Sequence, residues 1–372
     1  MRCLASVLGL LLLGCVGTQA PGGSVAPVSS EPSPSPVPSA APSVSTGKQL
    51  EQLRLPPARK ESYCPWRGVE SDEVDAANQE LLLNGAERAR ALATHLPFGE
   101  PPPRTEHQRL RVLKQFVIQY DPELRGPIWT AYRLEPHDVV EAERLDAFRA
   151  DPLLDPDVRA ECRDYEEPIF DTGHLVPRAD MNRSESAMLN TFLLSNMTPQ
   201  HCATNRGPWL VLEDLVRQWA AKGPLLIYSG AVYDWYAPEG QDPPEQVPRM
   251  HSPRYPEEMG EVRRVAVPSH LFKIVVRLHP AGVHRPYEGL AFLIRNSPRK
   301  VPKQRLKSFL QKALVAPGTL QRLTGVRFFP RLHRDALALK EALLSRKAET
   351  LWDYEQLTPQ LAGPCKDDSA EY

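Results

Sequence analysis

The chain has 372 residues, 41% hydrophobic and 24% charged, which is enough apolar material for one large or two modest soluble domains. Its formal net charge is −1, from 45 Lys+Arg against 46 Asp+Glu, so no whole-molecule positive field draws in a polyanion, and any basic surface must be local. In chain order, Met1-Arg2 is followed by an apolar stretch from Leu4 to Leu13 and then Gly14-Cys15. A charged start, a short hydrophobic region and a small-residue processing site make an export signal, and the stretch is too short to span a bilayer. From Val16 to about Thr46 the sequence is Pro, Ser, Ala, Val and Gly with one charge, Glu31. That composition cannot offset its ordering entropy, and its prolines favour extended polyproline II, so it reads as a tether. The expected division is a signal at 1–15, a tether at 16–62, a helical segment at 63–105, the main domain at 106–347 and a tail at 348–372.

Leu12-Leu13-Gly14-Cys15 resembles the lipobox of bacterial lipoproteins, which implies lipidation of Cys15 and an exported protein anchored to the cell envelope. An ordinary secretory signal cut near Gly17 or Ala20 gives the same export without the anchor. In that oxidising setting Cys64, Cys162, Cys202 and Cys365 predict one or two disulfides, with three pairings open. A zinc site is the weaker reading, because no C-x-x-C pair or close Cys/His spacing is present.

Apolar spacing predicts a helix over 74–96, ending before Pro97, and another over 106–118. Pro127 to Leu134 reads as the first strand of the main domain. Further strands are expected at Leu225–Ser229, Leu271–Leu278 and Leu290–Ile294, with helices at 185–194, 207–221, 303–313 and 335–347. This order predicts a mixed α/β or α+β sheet.

The chemistry concentrates in Asp171-Thr172-Gly173-His174, then Ser195-Asn196-Met197-Thr198-Pro199-Gln200, then Asn205-Arg206-Gly207-Pro208-Trp209 running on to Glu213 and Arg217. Phosphodiester hydrolysis needs a base for water, a cation against the phosphate oxygens and stabilisation of the leaving alkoxide. His174 is the candidate base. Mg²⁺ keeps several waters and takes oxygen ligands, so the amide oxygen of Asn205 is a reasonable single protein ligand, with Mn²⁺ a substitute. Taken alone, Asn205 reads as a helix cap, and the two roles are compatible. Pro208 suits the first turn of a helix. Glu213 and Arg217 follow Trp209 at spacing four, which aims them towards the same cleft, while Leu212, Leu215, Val216 and Trp219 form the buried stripe.

These motifs resemble the DNA/RNA non-specific endonuclease family, over roughly residues 128–333. The resemblance also draws on Ser229-Gly230, Val267-Pro268-Ser269 and Phe272-Lys273. It implies an α+β ββα-metal (His-Me finger) fold with a central antiparallel or mixed sheet, and Mg²⁺-dependent cleavage of DNA and RNA to 5′-phosphate products. It implies that His174 is the general base, Asn205 the metal ligand, Glu213 the holder of metal-bound water and Arg217 a phosphate binder. Asn196, grouped with the catalytic residues, corresponds to one that supports the site.

One departure stands out. The family's motif is usually Asp-Arg-Gly-His, whereas this chain has Thr172, which supplies neither charge nor a bidentate fork. Arg178 and Arg206 are the candidate replacements. The alternative function is a catalytically impaired, nuclease-like lipoprotein that only binds nucleic acid or protein. Between Arg295 and Arg334 there are eleven basic residues and no acid, a stretch able to track a phosphate backbone or to form a solvated face.

Overall fold

The computed structural model describes residues 64 and 66–331, except 166–168, 237–239, 251–263 and 280–286, together with 55, 57, 343 and 347–357. The chain divides into two units, Met1–Val44, which lies outside those residues, and Ser45–Tyr372. The signal with Cys15, nearly all of the tether and, Leu343 and Lys347 apart, the helix expected at 335–347 lie outside the described residues. Among the described residues no helix is long and apolar enough to cross a membrane.

In chain order the main elements are β1 (Trp66–Arg67), α1 (Ser71–Gln79), α2 (Gly85–His95), β2 (Arg109–Val112), β3 (Val117–Asp121), β4 (Gly126–Leu134), β5 (Asp146–Ala147), β6 (Phe170–His174), α3 (Glu185–Asn190), β7 (Met197–His201), α4 (Leu210–Ala220), β8 (Leu225–Val232), β9 (His270–Leu278), β10 (Tyr287–Arg295), α5 (Leu306–Ala313) and α6 (Pro317–Thr324). Six strands form one antiparallel sheet in the order β10-β9-β8-β4-β3-β2. The long strands read as nearly unbroken apolar runs because helices cover both faces. On one face Ile118, Tyr132, Ile227, Leu271 and Val275 pack against Leu212, Leu215, Val216 and Trp219 of α4 and Leu306 and Leu310 of α5. On the other, Val117, Trp129, Tyr228, Phe272 and Ile274 pack with Ala91 of α2, Leu320 of α6 and Phe328 and Phe329. Each large apolar side chain so buried contributes about 1.5–3 kcal/mol. The fold is α+β with a central sheet flanked by helices, as the ββα-metal class requires.

Three expectations change. The helix expected over 106–118 is the β2–β3 hairpin, pairing Arg109↔Tyr120 to Val112↔Val117. The single helix over 74–96 is two, because Asn84 caps a new start: its Oδ1 accepts from the Glu87 N–H while the Glu87 carboxylate accepts from the Asn84 N–H. The helix expected from 207 is regular only from Leu210, since Gly207 sits outside the helical region (φ −112°, ψ −114°) ahead of Pro208, which disfavours helical geometry in the residue before it. Leu96 and Phe98, ahead of residue 105, share a core with Val117 and Trp129.

A small hairpin carries the site. β6 pairs antiparallel with β7, His174 opposite Met197, and the chain then runs through Asn205–Trp209 into α4. Cys64 and Cys162 form a disulfide, and Cys202 is disulfide-bonded as well.

Candidate active site

His174 ends β6 on the wall of a cleft of about 640 Å³, which Thr172, Asn205, Glu213, Arg178 and Arg217 also line. Its ring meets Phe192 nearly edge-on, 4.9 Å between centroids, and Phe148 at 5.8 Å. Nε2 is buried without a hydrogen-bond partner among the described residues. Burial first, then the charges of Arg144 and Arg178, lower the ring's pKa to about 3, so the imidazole is neutral at neutral pH, the form a base must have. The backbone behind it is held tightly. Its carbonyl accepts from Gln200 Nε2 (3.3 Å) and Trp209 Nε1 (3.4 Å). Gly173 is required for the first of these contacts, because a Cβ there would collide with the Gln200 side chain.

Asn196 lies behind this wall, fully buried and not in the cleft lining. Its Oδ1 accepts from the Val176 N–H, and Nδ2 donates to the carbonyls of Val176 and Thr191. These bonds lock the turn after His174 to the turn before β7.

Asn205 and Arg206 share one carboxylate. Asn205 Nδ2 donates to Asp171 Oδ2 at 2.9 Å, and the Arg206 fork meets both Asp171 oxygens at 2.8 and 2.6 Å. The amide is therefore oriented by its nitrogen, and Oδ1, without a hydrogen bond among the described residues, is the acceptor left for a cation. Arg206 lines the cleft and is paired with Asp171 there. Arg217 is held in the same way: it pairs with fully buried Asp180 at 3.1 Å and with Asp214 at 3.7 Å. Tyr132 also donates to Asp180, at 2.6 Å. Of the three arginines expected to bind phosphate, only Arg178 has no carboxylate partner among the described residues; it donates to Asn182. Burial, then Arg144, lowers its pKa despite Asp146, which marks a spot where positive charge is concentrated.

Glu213 is buried beside Arg217. Burial pushes its carboxyl up, against the pull of Lys273 and Arg217. Lys273 itself is fully buried in the middle of β9; its ammonium donates to Ser229 Oγ at 2.6 Å and lies 4.6 Å over the Trp209 ring. Leu271, Lys273 and Val275 alternate onto the face that packs on α4, which delivers the lysine beneath the site. Burial lowers its pKa and Glu213 opposes the change. In the sequence Lys273 entered only as part of the Phe272-Lys273 element, although a lysine inside an otherwise apolar strand is itself a signal of a buried charge.

Residues 98–335 match the family model described as DNA/RNA non-specific endonuclease. The chain belongs to that family. It is 30% identical over 232 residues to the mitochondrial nuclease EXOG of Xenopus laevis, covering 59% of this chain and 58% of that protein. It is 28% identical over 248 residues to human mitochondrial endonuclease G, covering 62% and 73%. A chain from the crystal structure of the EndoG/EndoGI complex shares the fold, with a TM-score of 0.52 at 24% identity, over 66% of this chain and 93% of that one. The chain thus spans 58% of the Xenopus EXOG nuclease and 66% of the Danio rerio one.

Membership of this endonuclease family supports nuclease activity in general and fits a site built from few ligands. Among the described residues no group of three or more His, Cys, Asp or Glu side chains is placed to hold a metal ion. The Cys64–Cys162 disulfide removes both cysteines from any zinc site. The basic stretch after Arg295 stands apart from the cleft: Arg295, Arg299, Lys300, Arg305 and Lys312 line a second concavity of about 360 Å³ beside Thr204 and Pro208. The cleft draws its positive charge from elsewhere, including Arg67 and Arg144, neither of which the motifs pointed to.

Proposed function

We propose that the protein is a metal-dependent, sequence-non-specific endonuclease that hydrolyses DNA and RNA to 5′-phosphate products. The observation that carries this reading is one cleft holding a neutral, backbone-locked His174 together with the Asn205 amide and Glu213. His174 takes a proton from water as that water attacks phosphorus; the bond to the 3′-oxygen breaks, and the alkoxide collects a proton from solvent. Asn205 would hold Mg²⁺, or Mn²⁺ in its place, through Oδ1, and Glu213, which lines the same cleft, would orient the ion's hydration shell. Such an ion supplies positive charge against the phosphate oxygens and the leaving oxygen. Asp171 keeps the Asn205 amide in position, and Arg178 meets the substrate phosphate. The cleft's arginines favour the nucleic-acid backbone over base edges, in line with cleavage at any sequence.

We further propose that the protein is exported and anchored to a bacterial cell envelope through lipidated Cys15; the Cys64–Cys162 disulfide suits export to an oxidising compartment and does not bear on the anchor. Palmitate labelling lost in Cys15→Ser tests the anchor.

The activity is tested by ligating the cleaved DNA without prior kinase treatment. Religation supports attack with departure of the 3′-oxygen, and ends that require phosphorylation first contradict it. A folded chain that binds DNA but cleaves neither DNA nor RNA in Mg²⁺ or Mn²⁺ would instead favour the binding-protein reading, with Thr172 the first residue to restore to arginine.

A further inference from the structure

We propose that the segment ahead of the endonuclease homology forms a second, substrate-gripping lip of the cleft, with Arg67 as a phosphate-binding residue supported by Arg144. This rests on the nuclease reading. The family match begins at residue 98, so Arg67 belongs to an addition outside it. Arg67 nonetheless lines the same cleft as His174.

The segment is held there from several directions. The Cys64–Cys162 disulfide ties it to the segment that follows β5, and both cysteines line the cavity. β1 pairs antiparallel with β5, Arg67 opposite Asp146 and Trp66 opposite Ala147. Buried Trp66 donates its indole N–H to the Phe148 carbonyl at 3.0 Å, and Phe148 is one of the two rings packed on His174. Gly68, at φ +65°, turns the chain out of β1 towards α1, a conformation that side chains other than glycine's rarely adopt. Fully buried Arg149 then joins α1 to α3, donating to Asn78 Oδ1 and Asn190 Oδ1, each at 2.8 Å. The lip is therefore a built part of the site wall.

What it presents is charge. Arg67 is exposed and has no ion pair among the described residues, whereas Arg206 and Arg217 are neutralised by Asp171 and Asp180. Arg144 is also exposed; it meets Asp146 at 2.7 Å, and its field reaches His174 and Arg178. Arg67 and Arg178 both line the cavity and neither has a carboxylate partner among the described residues, so both guanidinium groups remain for the phosphates of a strand.

The test measures binding of a fluorescein-labelled 20-base-pair DNA by the full chain carrying His174→Ala, in Mg²⁺, across a series of NaCl concentrations. Adding Arg67→Ala should weaken binding about tenfold and lower the slope of log Kd against log salt by about 1, and Arg67→Glu should weaken it further. Arg67→Lys should restore most of the slope, and the melting temperature should not move, because the side chain is exposed and unpaired. In the chain with His174 intact, Arg67→Ala should raise KM with kcat nearly unchanged. Unchanged Kd and slope in Arg67→Glu would overturn the inference while leaving the nuclease reading intact. Absence of both binding and cleavage in the unsubstituted chain would overturn the nuclease reading first.

Discussion

Lowering the pH of the metal-free chain from 7 to 5 should leave His174 uncharged, although a free imidazole protonates across that range. Its Nε2 is buried without a partner, Phe148 and Phe192 flank the ring, and Arg144 and Arg178 add repulsion, which together bring its pKa from 6.5 to about 3. That gap corresponds to on the order of 5 kcal/mol against the charged form. The sign follows directly: with the folded pKa depressed, the contribution to stability is whole above pH 6.5 and is lost as pH falls towards about 3. Between pH 6.5 and 5 the loss is about 2 kcal/mol, at roughly 1.4 kcal/mol per pH unit. The assay is a titration of the His174 Cε1–H resonance, identified by its loss in His174→Gln, alongside urea unfolding of both chains at pH 7, 6 and 5. A midpoint near 6.5, with a stability difference between the chains that does not change with pH, would refute the reasoning.

Gly173→Ala should destabilise by about 1–3 kcal/mol through the clash with Gln200 and reduce cleavage at least tenfold, because Gln200 braces the His174 carbonyl. Melting curves and initial rates on one preparation check both. Asp171→Ala should release Asn205 and Arg206 together and raise the Mg²⁺ concentration for half-maximal activity about 10- to 100-fold, read from a metal titration of the rate. The double variant Cys64→Ala/Cys162→Ala opens a loop closed across a separation of 98 residues, and should cost about 2–4 kcal/mol in urea unfolding.

The long central strands were readable because each is a concentrated apolar run, and the hairpin-then-helix site was readable because its motifs are contiguous. The 106–118 region misled for a physical reason. Leu110, Val112, Leu113, Phe116 and Val117 carry helix-like spacing only because the turn between β2 and β3 shifts the phase of two alternating strands. The break between α1 and α2 did leave a trace, the Asn84-x-x-Glu87 capping box, masked by the apolar run from Leu81 to Leu83 directly before it. The commitments of Arg206 to Asp171 and of Arg217 to Asp180 had no local sign, since each pairs residues 35 or 37 positions apart. Arg67 and Arg144 reach the cleft through β1–β5 pairing and a disulfide, which a reading of local motifs does not reveal.

The central claim is that His174 and a divalent cation together cut a phosphodiester backbone, and the most direct measurement is cleavage of supercoiled plasmid and structured RNA by the full chain. The account predicts degradation of both substrates in Mg²⁺, none in EDTA, and a loss of at least 1,000-fold in His174→Ala with the fold retained by circular dichroism. Cleavage that persists in EDTA, or that His174→Ala leaves within a few-fold of the unsubstituted rate, would contradict it.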